Sequence, residues 1–123
     1  MQDKILLINP HRLIYSRNNI WKGINRSLPP LGLACLAAFI QQNGMQVEII
    51  DYQVERYDES SLINKIKEDS LRFIGFSIIT VEALGVYELI KKIKEKSRSA
   101  LLIAGGPHPS IYPEEALNAG FDF

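Results

Sequence analysis

The sequence lacks several features that mark common functional classes. It contains one cysteine, Cys35, which excludes an internal disulfide and any all-cysteine metal site within these 123 residues. Its 14 basic side chains equal its 14 acidic ones, so no net charge attracts nucleic acid or an anionic membrane. The longest apolar run, residues 31–40, is well short of the roughly 20 residues of a membrane span, and the amino terminus has no signal-peptide pattern. We therefore expect a cytoplasmic protein without nucleic-acid or membrane partners.

The common phosphate-binding motifs are also missing. The chain has neither the Gly-x-Gly-x-x-Gly turn of dinucleotide-binding domains nor a Walker lysine loop. It also lacks the acidic cluster of a phosphate-accepting receiver, because the third apolar run leads to Ser77 where a receiver has an aspartate. These absences weigh against functions centred on a nucleotide phosphate.

Apolar runs of strand length alternate with segments of helical pattern. Strands are predicted at residues 4–9, 47–51, 73–79 and 100–104, with the start of a fifth at Phe121–Phe123. Helices are predicted from Pro30 to about residue 43, after caps at Asp58 or Ser60 and at Thr80, and from Pro113 to about residue 119. This alternation predicts an α/β fold with a flavodoxin-like (Rossmann-like), doubly wound parallel sheet. Residues 1–123 then form one domain, truncated near strand five, and we expect a longer protein because the sheet edge would otherwise be exposed.

The first predicted helix is apolar on nearly every side. This pattern predicts deep packing and makes Cys35 an inert core thiol. Gly44 is expected to end the helix in a left-handed conformation. The polar segment Pro10–Ser27 before the helix is longer than a typical strand-to-helix loop. Loops of such length are usually functional or mobile.

Ligands of open parallel sheets bind beyond the carboxyl ends of the strands. In this chain those ends carry small or polar residues: Asn9 to His11, Ser77, Thr80 and the pair Gly105-Gly106. Glycine lets a ligand approach the backbone closely, and hydroxyl groups can hydrogen-bond to amides. Each residue also has a purely structural explanation, because a glycine pair is a common turn and a strand serine often bonds to neighbouring backbone.

Three segments resemble the amino-terminal half of cobalamin-dependent radical-SAM proteins. In chain order they are Leu6-Leu7-Ile8-Asn9-Pro10, Pro29-Pro30-Leu31-Gly32-Leu33-Ala34-Cys35-Leu36-Ala37-Ala38 and Ala104-Gly105-Gly106-Pro107-His108-Pro109-Ser110. Cobalamin-binding domains of the methionine-synthase type carry Ser-x-Leu at strand three and Gly-Gly at strand four. Here Ser77-Ile78-Ile79 and Gly105-Gly106 stand in those places. The chain is therefore similar to the amino-terminal cobalamin-binding domain of the radical-SAM family.

The resemblance implies a set of cobalamin-binding residues and no catalytic residue in this chain. They follow the strands or open the first helix: Asn9, Pro10, His11, Leu31, Gly32, Ser77, Ile79, Thr80, Gly105, Gly106, Pro107 and His108. His108 is expected to contact the nucleotide tail of cobalamin or a neighbouring domain.

His11 is a candidate ligand of the cobalt ion of cobalamin. In the methionine-synthase type, the histidine of Asp-x-His-x-x-Gly ligates cobalt and the aspartate tunes it. Here the aspartate and glycine positions are Asn9 and Ile14, and radical-SAM relatives usually lack this ligand. Cobalt ligation by His11 is therefore the lesser alternative, and no protein metal ligand is predicted.

The resemblance also implies an activity for a longer protein. A carboxy-terminal radical-SAM domain of the same chain, after residue 123, would hold a [4Fe-4S] cluster through Cys-x-x-x-Cys-x-x-Cys and cleave S-adenosylmethionine. Cobalamin in that family commonly relays a methyl group to an unactivated carbon or phosphorus centre. The 123 residues contain no such cysteine motif, so this segment alone is expected to catalyse nothing.

Two other functions stay open on the sequence alone. The chain could be a stand-alone flavodoxin-like module that binds a nucleotide or flavin. It could also have kept the cobalamin-binding fold, lost the cofactor and become a docking surface for another protein. Titration with hydroxocobalamin distinguishes these functions.

Overall fold

A computed structural model describes residues 3–10, 28–69 and 71–123 of the chain. Its centre is a four-stranded parallel sheet in the order β2-β1-β3-β4, formed by β1 (Lys4–Asn9), β2 (Gln46–Asp51), β3 (Phe73–Ser77) and β4 (Leu101–Gly105). The helices are α1 (Leu31–Gln42), α2 (Glu59–Glu68), α3 (Ala83–Lys96), α4 (Pro107–Ile111) and α5 (Pro113–Ala119). The strand order is that of flavodoxin-like sheets, so the predicted fold class is confirmed.

One face of the sheet, here called the closed face, carries the main hydrophobic core. Side chains alternate along each strand, so one set from β1, β3 and β4 points to this face and is at most 2% exposed: Leu6, Ile8, Ile74, Phe76 and Leu102. Residues of α2, α3 and α5 pack over them. The predicted apolar face of α3, which includes Val86 and Ile90, is buried here as expected.

The opposite face, here called the half-covered face, carries a smaller core under α1. Leu33, Ala37 and Ile40 of α1 pack with Leu7, and Ile5 and two β2 residues, Val47 and Ile49, lie beside this cluster. The helix therefore lies over β1 and β2. Among the described residues, no helix covers the same face over β3 and β4.

The prediction that α1 is deeply packed is wrong. Leu31 is 70% exposed, Phe39 is 65% exposed and Leu36 is 46% exposed. Cys35 is also exposed, so it is not a core thiol. A helix that lies on one sheet buries one stripe of its surface, and only its neighbours decide whether a second apolar stripe is covered.

Several local signals in the sequence agree with the structure. Gly44 has φ +80° and ends α1, and Asp58 caps α2 by accepting a 2.8 Å hydrogen bond from the Ser61 amide. Phe121–Phe123 extends along β4, because the Asp122 amide donates to Leu102 O (2.9 Å) and Phe123 O accepts from the Ala104 amide (2.8 Å). These bonds have the form expected at the start of a fifth strand.

One local prediction needs correction. Thr80 does not cap α3 with its side chain, because a 3-10 turn, Thr80–Glu82, comes before the helix. Pro107 to Pro109 form the first turn of α4, where proline suits the first helical position. None of the described helices has both the length and the hydrophobicity to cross a membrane.

Candidate functional site

A groove of about 460 Å³ opens on the half-covered face, between α1 and the carboxyl halves of β3 and β4. The described residues that line it are mostly apolar and none of them is charged: Ile5, Leu7, Gly32, Leu33, Leu36, Ile40, Gly75, Phe76, Ser77, Ile103, Gly105 and Gly106. The volume lies within the usual range of about 300–1,000 Å³ for sites that bind small molecules.

The floor of the groove is low because β3 and β4 carry small residues on this face. In the strand register, Gly75 lies between Leu7 of β1 and Ile103 of β4. Two residues further along, Ser77 pairs with Gly105. A Cβ atom on Gly75 would lie 3.0 Å from Leu7 Cδ2, so any larger residue would crowd the floor. Gly75 was not among the predicted binding residues, although a lone glycine inside an apolar strand often marks a bulge or a close approach by a ligand or another backbone segment.

The fold itself requires glycine at position 106. Gly106 has φ +94° and ψ −176°, a region populated almost only by glycine. A Cβ atom there would lie 2.8 Å from the Ile78 nitrogen. The backbone conformation and the close approach to Ile78 therefore explain the glycine at position 106 without any contact to a ligand.

The fold does not require glycine at two other positions that line the groove. A Cβ atom on Gly32 would meet nothing within 4 Å, and one on Gly105 would lie 3.6 Å from Phe76 O, an ordinary contact. Glycine in place of alanine at an interior helix position costs about 1 kcal/mol, and Gly32 is near the start of α1. The missing side chains at Gly32 and Gly105 therefore contribute empty space to the groove rather than an unusual backbone conformation.

Among the described residues that line the groove, Ser77 alone carries a side-chain hydroxyl. The residue is half-buried, and its hydroxyl has no hydrogen-bond partner among the described residues. It is therefore available to a ligand that carries an amide or a phosphate oxygen.

A polar network joins the strand ends next to the groove. Asn9 Nδ2 donates to Asp51 Oδ1 (2.8 Å). Gln53 Nε2 donates to Pro10 O (2.6 Å) and to Glu82 Oε1 (3.2 Å). Glu82 is only 5% exposed, and its other oxygen accepts from the Ile79 amide at 3.4 Å. Sequence analysis missed the roles of Gln53 and Glu82, because their contacts join segments far apart in the chain.

His108 lies in the helix layer over the closed face, not in the groove. Its side chain is 4% exposed. Nδ1 lies 3.2 Å from Thr80 Oγ1, and Nε2 lies 3.0 Å from the Tyr87 hydroxyl and 3.1 Å from Glu115 Oε1. Burial, with the nearby Glu115 carboxylate, raises the pKa of Tyr87 to about 12.

The structure brings four of the twelve predicted cofactor-binding residues to the groove: Gly32, Ser77, Gly105 and Gly106. Asn9 and Pro10 belong to the polar network, and Thr80 pairs with His108. Leu31, Ile79 and Pro107 lie near the groove residues in sequence but do not line it. His11 lies outside the described residues. Cofactor contact by the whole set stays a prediction.

The described residues contain no group of three or more His, Cys, Asp or Glu side chains arranged to hold a metal ion. This result concerns ligand sets supplied by the described residues alone. The predicted alternative for His11 stays untested, because that residue is not described.

Comparison with known proteins gives one family and two relatives. The family model for the B12 binding domain matches residues 24–123. A Pyrococcus horikoshii protein described as an uncharacterized methyltransferase is 30% identical over 111 residues, which cover 90% of this chain and 23% of that protein. A cytidylyl-2-hydroxyethylphosphonate methyltransferase from Streptomyces wedmorensis is 25% identical over 134 aligned positions, which cover 94% of this chain and 24% of that protein. The chain thus spans about a quarter of the length of the curated relatives it matches.

Proposed function

The chain belongs to the B12-binding domain family, and on that basis we propose that its groove receives the nucleotide tail of cobalamin. One observation supports the groove as the binding site of the tail. Gly32, Gly75 and Gly105 remove side chains from the groove lining at positions where no positive φ requires glycine.

The chemistry of the groove fits the cobalamin tail. The tail ends in a flat and largely apolar base, and the described part of the lining offers mostly apolar side chains and no charged one. Among the large side chains of the lining, Leu7, Leu36 and Ile103 would surround the base and exclude water from it. The Ser77 hydroxyl would hydrogen-bond to a polar atom of the tail.

The residues of this chain bind and orient the cofactor in this proposal. The groove would hold the tail, and the carboxyl ends of the strands would face the corrin ring. The hydrogen bonds of Gln53 and Asn9 keep the ends of β1 and β2 together, so this edge is organised before a ligand arrives. When bound, cobalamin supplies a cobalt centre for methyl-group chemistry.

For the full-length protein we propose cobalamin-dependent methyl transfer in the cytoplasm. The support is that both relatives are described as methyltransferases and are about four times as long as this chain. The finer proposal is a following radical-SAM domain with a [4Fe-4S] cluster and S-adenosylmethionine, which would pass the methyl group to an unactivated carbon or phosphorus centre. The test is the coding sequence beyond Phe123, where a Cys-x-x-x-Cys-x-x-Cys motif is expected. Its absence from the whole gene contradicts the radical-SAM part.

Titration with hydroxocobalamin, followed by its visible spectrum and by retention of the corrinoid through gel filtration, tests the proposed site. We expect the wild-type protein to bind. Gly32→Phe should weaken binding by at least about tenfold, because Gly32 lines the groove, a Cβ atom there meets nothing within 4 Å, and the added ring would take up space that the tail needs. The matched control is Ala38→Phe, which places the same ring on an exposed part of α1 outside the groove lining.

Three outcomes count against the proposal. Wild-type protein that neither shifts the spectrum nor retains corrinoid removes the cobalamin function and favours a domain that has lost its cofactor. Binding of flavin mononucleotide or ATP in place of cobalamin favours the flavodoxin-like alternative. Equal affinity in the Gly32→Phe and Ala38→Phe variants moves the binding site away from the groove.

A further inference from the structure

Residues 105–108 wrap around Ile78 at the end of the groove. The Ile78 amide donates to Gly105 O (2.8 Å), and Ile78 O accepts from the His108 amide (3.0 Å). The Gly106 backbone passes so close to Ile78 that no Cβ atom fits between them. These bonds tie the turn at Gly106 to the residue after β3, and the His108 backbone supplies one of them, while Gly105 is also held by its pairing with Ser77 in the sheet.

Two adjacent glycines form a poor wall by themselves. Glycine loses more conformational entropy on ordering than any other residue, so a glycine pair needs an external anchor to hold one conformation. The exposed Ser110 side chain donates one hydrogen bond to Gly106 O (2.8 Å). The nearest buried side chain along the chain is that of His108, at 4% exposure, and it reaches into the helix layer over the closed face.

The hydrogen bonds of the His108 imidazole form a consistent set. The Glu115 carboxylate accepts only, so Nε2 carries the proton and donates to Glu115 Oε1 at 3.1 Å. The Tyr87 hydroxyl also bonds to Glu115, a contact that contributes to its raised pKa. Nδ1 is then the acceptor for the Thr80 hydroxyl, 3.2 Å away. The imidazole thus ties the turn after β4 to α3, to α5 and to the turn after β3.

We propose that His108 is a positioning residue: from the closed face it holds the Gly105-Gly106 turn in the shape that forms the wall of the groove. The effect on cofactor affinity rests on the proposed cobalamin function. The effect on the turn itself does not. A preformed wall spares the ligand the entropy cost of ordering the turn, so loosening the turn weakens binding without removing any contact to the ligand.

Amide hydrogen exchange in the protein without ligand tests the positioning role directly. His108→Phe keeps a ring of similar size but removes both nitrogen atoms. We expect exchange of the Ile78 and His108-position amides to accelerate by about tenfold, with little change at β-strand amides such as Leu6. His108→Gln should recover part of the protection, because its amide can donate to Glu115.

The matched control is Ile66→Val, a small truncation of a buried α2 residue on the same closed face. It should leave exchange at positions 78 and 108 at the wild-type rate. If His108→Phe does not fold, Glu115→Ala serves in its place, because this side chain is half-exposed and its loss removes one partner of the imidazole. We expect about threefold faster exchange at position 108 in that variant.

Hydroxocobalamin affinity provides the second measurement. We expect about tenfold weaker binding for His108→Phe, partial rescue by His108→Gln and wild-type affinity for Ile66→Val. Unchanged exchange at positions 78 and 108 overturns the inference, as does wild-type cobalamin affinity in a variant whose turn has loosened. If wild-type protein binds no cobalamin, the proposed function fails, and the exchange rates still decide whether His108 holds the turn.

Discussion

The two faces of the sheet differ although they share the same strands. On the closed face, Leu6, Ile74 and Leu102 are fully buried under several helices. One residue further along two of these strands, Gly75 and Ile103 face the groove, beside α1, which lies over β1 and β2. Because side chains alternate, a strand can contribute every second residue to stability and the others to a binding site.

The two faces of the sheet also differ in where their polar residues lie. The described residues that line the groove are uncharged, whereas the charged Glu82 is buried in the polar network of the strand ends, with partners. On the closed face, described residues form a buried polar cluster centred on His108, next to the turn that shapes the groove. The face that stabilises the fold therefore also supports the face that is open to a ligand.

Alanine substitutions at two neighbouring residues of β4 should show the largest difference between the faces. Leu102→Ala leaves a cavity in a fully buried site and should cost about 2–5 kcal/mol. Ile103→Ala removes a partly exposed side chain and should cost only about 1 kcal/mol. Urea denaturation measures both values. Equal costs would show that the half-covered face is as well packed as the closed one.

Gly106→Ala should have the next largest effect. The backbone conformation of Gly106 is costly for other residues, and the new Cβ atom would lie 2.8 Å from the Ile78 nitrogen. We expect a loss of about 3 kcal/mol together with weakened cobalamin binding. Gly32→Ala is the control, because it has open space and should not destabilise the protein. A Gly106→Ala variant as stable as wild type contradicts the described turn.

High pH should weaken the closed face through two tyrosines. Burial raises the pKa of Tyr52 and of Tyr87 to about 12. An unfolded tyrosine ionises near pH 10, so these groups stabilise the fold below about pH 10, and this contribution is lost as the pH rises towards 12. Denaturation midpoints measured across this range should fall, and Tyr52→Phe should reduce the fall. Phenolate absorption by all tyrosines near pH 10 in folded protein argues against this burial.

The smallest effect is expected at the exposed side of α1. Cys35 is solvent-accessible and does not line the groove. A thiol reagent should therefore modify it completely in folded protein, with no measurable change in stability or in cobalamin affinity. Reaction only after denaturation would place this side of α1 in contact with other parts of the protein.

The sequence predicted the strands and the local stop signals well. The centres of β1 and β4 are continuous apolar runs because both faces of these strands are at least partly covered, and such runs need no knowledge of neighbours. Gly44 and Asp58 act within a few residues of themselves, so their roles were visible in the sequence. The glycine pair at positions 105 and 106 was also correctly placed at the end of β4.

Other features depend on contacts between distant segments and were not visible. The apolar composition of α1 indicated deep packing, whereas only the surrounding layers decide how many of its stripes are buried. Pairing of Gln53 with Pro10 and Glu82 joins residues up to 43 positions apart. The partners of His108, at separations of 7 to 28 residues, likewise come from three different elements.

The sequence by itself determined the alternation of strands and helices, the parallel sheet and the glycines at the strand ends. Only the tertiary structure decided which face of the sheet is closed, that Gly32, Gly75 and Gly105 share one groove, and that His108 points away from it. The physical reason is that propensity and periodicity act over a few neighbouring residues. Burial and hydrogen bonding of a side chain depend on which layers meet across the whole fold.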